Sequence, residues 1–220
     1  MHDWVIPLAV AAAILMPLRS TLADWNDVPS GSMRPTILEG DRIWVNKLAY
    51  GLRVPFTRIM LAQWGAPKRG EIVTCASPAD GTRLVKRVVG LPGDVISMQA
   101  NRLTINGEVL EYRVVNENVA EPVPGGQSVR AIHVQEMLGT VRHIVTVVPG
   151  AQSAHTFSEM TIPEGKYFVM GDNRDLSGDS RVFGLVDASA VYGRVGGVAF
   201  SVDPKNFYRP RFERWFMGVK

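Results

Sequence analysis

The chain of 220 residues is long enough for one ordinary domain with a modest elaboration, and its 46% hydrophobic and 20% charged content excludes a disordered polymer. Its net charge is only +3, with the basic residues spread along the chain, which argues against a nucleic-acid partner. The lone Cys75 can close no internal disulfide and fits no metal-ligand spacing, so it reads as a small buried hydrophobe, and no metal or cofactor is expected.

Trp4 to Leu18 is a run of fifteen residues without a charge, reaching spanning length if it continues to Ala23 with Arg19 at the headgroups. Residues 1–23 are therefore expected to form an N-terminal transmembrane helix. A cleaved signal peptide ending at Thr21-Leu22-Ala23 and a buried helix are the rivals; the first lacks a positively charged start, the second a polar face. Flanking charge leaves the orientation open.

From Val28 onward, short apolar runs alternate with Gly, Pro, Asn and Asp, the pattern of a mainly β, antiparallel protein. Strands are expected at Arg42–Lys47, Glu71–Cys75, Leu84–Val89, Val95–Gln99, Leu103–Ile105, Val109–Val114, Arg142–Val148, Tyr167–Met170 and Val191–Phe200. Asn106-Gly107 marks a type I′ hairpin and Leu91–Asp94 a turn. Gly51–Gly70 reads as a loop with a helical turn, and Val134–Leu138 as the one interior helix. The polar stretch 97–162, holding His133, His143 and His155, is expected to be a smaller inserted β subdomain. It divides a catalytic β domain made of residues 24–96 and 163–220.

Four segments carry candidate chemistry: Val28–Thr36, Gly40–Gly51, Val85–Asp94 and Met170–Arg181. Each has a plain structural account on its own, as loop, surface charge or self-linked turn. A serine in Pro29-Ser-Gly-Ser32 needs a base to become a nucleophile, and no histidine lies in any of these segments, so a lysine is considered. An amine serves at neutral pH only if burial removes several units from its pKa. Six lysines are present, and Lys86 alternates with Leu84 and Val88 on one strand face while Arg87 points away. Lys47, which opens onto a loop, ranks second.

Together these segments resemble the type I signal peptidases, membrane-bound serine proteases that remove signal peptides from exported proteins. Ser-Gly-Ser-Met-x-Pro-Thr, Lys-Arg-x-x-Gly-x-Pro-Gly-Asp and Gly-Asp-Asn-Arg-Asp-x-Ser-x-Asp-Ser-Arg occur in that family's order, over residues 19–94 and from Gly165 to the end. The resemblance implies Ser32 as nucleophile and Lys86 as general base. It further implies Ser30 as an oxyanion-hole hydroxyl, Ser177 as the serine orienting the amine, and Asp179 with Arg181 as a supporting ion pair.

It also implies cleavage after small residues of the Ala-x-Ala type, and Val28, Met33, Ile37 and Val85 are candidates for the shallow pockets that would select them. The partners so implied are signal-peptide-bearing precursors and the lipid bilayer. The place is the bacterial cytoplasmic membrane, single-pass, with the catalytic domain outside. A conjugation-associated relative, a Ser–Lys self-cleaving repressor and a silent peptide-binding β module are the alternatives; the repressor lacks a DNA-binding region, and a binder has no need of Ser32, Lys86 and Ser177 together.

Overall fold

A computed structural model of the chain describes residues 23–55, 57, 59–123, 125–151 and 155–219, with Val5, Pro7 and Val10 before them. The expected N-terminal transmembrane helix lies outside the described residues, apart from those three positions. Among the described residues no helix is long and apolar enough to cross a membrane.

Among the described residues the paired strands are all antiparallel. In order the strands are β1 (Ala23–Asp27), β2 (Asp41–Asn46), β3 (Gly51–Arg53), β4 (Met60–Gln63), β5 (Ile72–Ala76) and β6 (Arg83–Gly90). Then come β7 (Val95–Gln99), β8 (Arg102–Ile105), β9 (Glu108–Val109), β10 (Glu111–Pro122), β11 (Ser128–Leu138) and β12 (Val141–Val147). The last are β13 (Phe157–Thr161), β14 (Lys166–Met170), β15 (Val186–Asp187), β16 (Val191–Asp203), β17 (Arg209–Pro210) and β18 (Met217–Gly218). One large sheet has the order β1-β2-β16-β5-β6-β14-β15, with β17 and β18 also on β16. Residues of the 97–162 stretch form the β10-β11-β12 sheet and most of the β13-β7-β8-β9 sheet.

The β8–β9 turn is the expected one: Asn106 and Gly107 both have positive φ, 53° and 83°, as a type I′ turn requires. Two expectations fail. Gly51–Gly70 contains a hairpin, with Gly51 opposite Gln63 and Leu52 opposite Ala62. A Cβ at Gly51 would run into the Ala62 carbonyl, so the glycine is what lets the two backbones meet. Val134–Leu138 is not a helix but the end of β11, the middle strand of its sheet, paired on both sides. The spacing of Val134, Met137 and Leu138 imitates a helical face because a charged residue, Glu136, occupies the core position between them.

Glu136 is fully buried and accepts two bonds from Arg174, from Nη1 at 2.8 Å and Nη2 at 2.5 Å. Burial pushes the Glu136 carboxyl up, but Arg174 and His143 outweigh it and hold it well below the usual carboxylate range. The pair anchors the β10–β12 sheet to the loop after β14. Glu136→Gln leaves Arg174 buried without its counter-charge, and should cost about 3–5 kcal/mol in urea unfolding at neutral pH. Because the folded pKa is depressed, this contribution is present above the unfolded carboxylate pKa. It should be lost as pH falls through about 4 and below, so the gap between wild type and variant should narrow in acid.

Candidate active site

The turn after β1 holds Ser30 and Ser32. Ser30 precedes a single 3-10 turn, Gly31–Met33, with extended φ and ψ of −132° and 155°; its hydroxyl caps nothing and is exposed. Met33 and Ile37 bury themselves beneath the turn in a cluster with Val28, Ile43, Val45 and Ile72, which fixes the loop from below. Its carbonyls are held from the side: Asn173 donates to Gly31 O through Nδ2 at 3.1 Å and to Ser32 O through its backbone N–H at 3.1 Å.

Lys86 comes from the middle of β6. Its alternation partners Leu84 and Val88 belong with Val73 and Cys75 to one core cluster, while Val85 and Val89 pack into others. The strand pairing sets Val73 directly opposite Lys86 and Cys75 opposite Leu84, so all four share one face. Lys86 is 2% exposed, and its amine lies 2.7 Å from Ser32 Oγ and donates to Val85 O at 3.0 Å. Burial lowers its pKa from the ordinary 10.5; the charges of Asp179 and Asp172 oppose the shift but do not reverse it.

Neither aspartate forms an ion pair with the amine, because each is taken by an arginine. Arg87 is fully buried on the other face of β6 and donates to Asp172 through Nε at 2.8 Å and Nη2 at 2.7 Å. Arg181 does the same to Asp179, at 2.8 and 2.7 Å. Burial raises both carboxyls, and the arginines outweigh it, leaving both below their ordinary value. Cys75 is the reverse case: burial pushes its thiol up to about 12, so it stands beside the amine uncharged.

Ser177 is brought close to Ser32 by Gly171, whose missing Cβ would collide with both Ser177 Oγ and Ser32 O. The Ser177 hydroxyl is not among the amine's hydrogen-bond partners; Val85 O occupies that place, and Ser177 lies against Asp179, whose pKa it helps lower. Lys47, the second candidate base, is instead ion-paired with Asp24 at 3.2 Å. No histidine among the described residues bonds to Ser32: His143 faces Glu136 at 3.3 Å and His155 faces Asp175 at 3.1 Å.

An open cleft of about 800 Å³ runs over Ser30, Ser32 and Lys86, with apolar walls from Leu84, Val123 and Leu176. The four expected pocket residues, Val28, Met33, Ile37 and Val85, do not line it: the first three are core, and Val85 packs against them. The expectation placed apolar neighbours of Ser32 in the wall, whereas packing the turn down uses them underneath. The reach of the β10–β11 tip into the cleft and the Glu136 and Glu121 anchors went unseen, since these residues sit far from the motifs in sequence. Metal-ligating groups of three or more His, Cys, Asp or Glu are absent among the described residues.

The family model for signal peptidase, peptidase S26, matches residues 1–200. Signal peptidase I of Pseudomonas aeruginosa is 36% identical over 214 residues, covering 91% of this chain and 73% of the relative. The Pseudomonas fluorescens enzyme of that name is 37% identical with the same coverage, and signal peptidase IB of Staphylococcus aureus strain Mu50 is 30% identical over 88% of this chain and 86% of its own. A solved signal peptidase I from Enterococcus faecalis V583 aligns at 31% identity over 58% of this chain and 95% of that one, with a TM-score of 0.36.

If the uncharged face around Lys86 sets its basicity, a carboxylate placed there should undo it. Cys75→Asp should move the acid limb of the pH profile of kcat/KM up by about one unit or more, and Cys75→Val should leave the limb in place. Activity of purified enzyme on a fluorogenic peptide from pH 5 to about 10 reads both.

Proposed function

The chain belongs to the signal peptidase family, peptidase S26, a serine endopeptidase that removes signal peptides, and we propose that Ser32 and Lys86 are its catalytic dyad. The observation that carries this reading is the 2.7 Å contact between a hydroxyl on an open cleft and an amine whose pKa burial lowers.

Neutral Lys86 takes the proton from Ser32 Oγ as the oxygen attacks the scissile carbonyl carbon. The negative charge on the carbonyl oxygen is met by the Ser32 backbone N–H and the Ser30 hydroxyl, which caps nothing else; losing one such donor typically costs about 10²–10³ in rate. As the C–N bond breaks, the ammonium of Lys86 passes its proton to the departing amine. Water then attacks the acyl-serine, giving its proton to Lys86, and Ser32 recovers its own as the acid leaves. Asp179–Arg181 serves as the supporting pair, and Ser177 lies between that pair and the Ser32 turn, beside Gly171.

Two free strand edges support a peptide substrate held in extended form. Among the described residues β1 pairs with β2 alone, and residues 83–86 of β6 pair with β5 alone, since β14 meets β6 at residues 87–90. Arg83 spans from β6 to Asn26 Oδ1 on β1 at 2.6 Å, so both edges approach the cleft. A precursor strand laid there would gain main-chain hydrogen bonds on either side, with Leu84 and Leu176 admitting only small side chains of the Ala-x-Ala kind. The apolar run Trp4–Leu18 fits a single-pass anchor in the cytoplasmic membrane, with the catalytic domain on the outer side where exported precursors emerge.

Full-length protein in detergent should cut an exported precursor after an Ala-x-Ala site. Ser32→Ala and Lys86→Ala should each lower the rate by at least about 10³, while His143→Ala stays active, though less stable. Cleavage persisting in Lys86→Ala would sink the dyad, and a dead but folded His143→Ala would return the case to a histidine base.

A further inference from the structure

Strand β10 is exposed along almost its whole length. From Glu111 to Pro122 its one buried residue is Glu121, an acid where an apolar side chain is the ordinary choice. Among the described residues five other carboxylates are buried: Asp41, Asp94, Glu136, Asp172 and Asp179. Each of the five accepts from an arginine at 2.5–2.9 Å. Glu121 is different. Arg34 stands with its Nε 3.8 Å away, and donates from that same nitrogen to Glu39 at 2.6 Å. The close partner of Glu121 is an amide, Asn173 Nδ2, at 2.9 Å. Burial pushes the Glu121 carboxyl up and Glu39 adds to this, while Arg34, the Asn173 bond and Lys205 pull the other way without restoring the ordinary value.

Asn173 is also the brace of the Ser32 turn. Besides Glu121, its Nδ2 donates to Gly31 O at 3.1 Å, and its backbone N–H donates to Ser32 O at 3.1 Å. Its own Oδ1 is buried and has no hydrogen-bond partner among the described residues. A side-chain amide has two orientations related by a half turn, one presenting nitrogen and the other oxygen, and a carboxylate only accepts. Glu121 and Gly31 O, both acceptors, therefore decide that nitrogen faces the turn. Without Glu121, one bond instead of two holds that orientation, and the orphaned Oδ1 gains by turning toward water in the vacated space. The turn then loses its brace, and Ser32 Oγ its fixed place against Lys86 Nζ.

We propose that Glu121 is a positioning residue for the dyad: its carboxylate fixes the Asn173 amide, which fixes the Gly31–Ser32 backbone that carries the attacking hydroxyl. The assignment rests on the peptidase reading above, in which Ser32 is the nucleophile. It gives the β10–β11 sheet a part in catalysis as well as in shaping the cleft wall. The effect is one of orientation, and a displacement of about an ångström can cost about 10²-fold in rate.

The test uses the full-length enzyme in detergent and a quenched-fluorescence peptide with Ala at the two specificity positions before the cut, with kcat and KM read separately. Glu121→Ala should lower kcat by about tenfold to a hundredfold and leave KM within about threefold. Glu121→Met fills the same space without an acceptor and should be as slow, so the loss is not that of a cavity. Glu121→Gln keeps an acceptor for the Asn173 amide and should hold kcat within about threefold of wild type. In an Asn173→Ala background, Glu121→Ala should cost less than about twofold more, because the connection is already cut. Urea unfolding of each variant gives the folded fraction by which kcat is scaled. An unchanged kcat in Glu121→Ala or Glu121→Met, a Gln variant as slow as either, or losses that multiply in the double variant would each overturn the proposal and leave the dyad in place. Failure of wild type to cut the peptide after the small residue overturns the peptidase reading and this one with it.

Discussion

An amine can stay inside a protein without a counter-ion only by giving up its proton, and the neighbourhood of Lys86 is arranged so that it can. Two aspartates, Asp172 and Asp179, are near enough for their charge to act on it. Either one, left unpaired, would favour the ammonium. Arg87 and Arg181 take both in two-point bonds at 2.7–2.8 Å, so the acidic loop contributes structure instead of charge. Arg87 and Lys86 are consecutive residues of one strand, and the pleat alone decides that one is paired and charged and the other unpaired.

The same loop also holds the turn that carries Ser32, the proposed nucleophile. Asp172 receives the Thr36 hydroxyl at 2.5 Å, Asn173 holds the carbonyls of Gly31 and Ser32, and Arg174 reaches Glu136 on β11. Three successive residues thus join the serine turn, the lysine strand and the second sheet. The Arg87–Asp172 and Arg174–Glu136 contacts of this loop are buried and charged. That gives geometry more surely than stability, because desolvation offsets much of what each pair gains. The cost is consistent with a site where a displacement of an ångström would separate Oγ from Nζ.

Much of this was legible in the chain itself. Alternation along Leu84–Val89 separated Lys86 from Arg87, and Asn106-Gly107 named its own turn, because both are local rules of backbone geometry. The Ser30, Ser32 and Ser177 positions could be found only as matches to a family pattern, since nothing in composition distinguishes them from ordinary loop serines. The Gly51–Gln63 hairpin was hidden by its short strands and by prolines in the surrounding loop. Glu136 broke the strand alternation of β11 and made it look helical, and its partner Arg174 lies 38 residues on. The pocket residues were misplaced for a related reason: an apolar neighbour of a catalytic serine can serve the wall or the floor, and only packing decides which.

The central claim is that Lys86 is neutral in the resting enzyme at working pH. With six lysines in the chain, carbon-13 labelling at lysine Cε allows each amine to be followed by NMR through a pH titration, and the signal lost in Lys86→Arg identifies the one that matters. The account predicts that this signal titrates well below the others, which cluster near the ordinary value of about 10.4. A Lys86 signal that moves with the other five would show a charged ammonium beside Ser32, and would contradict the mechanism at its base.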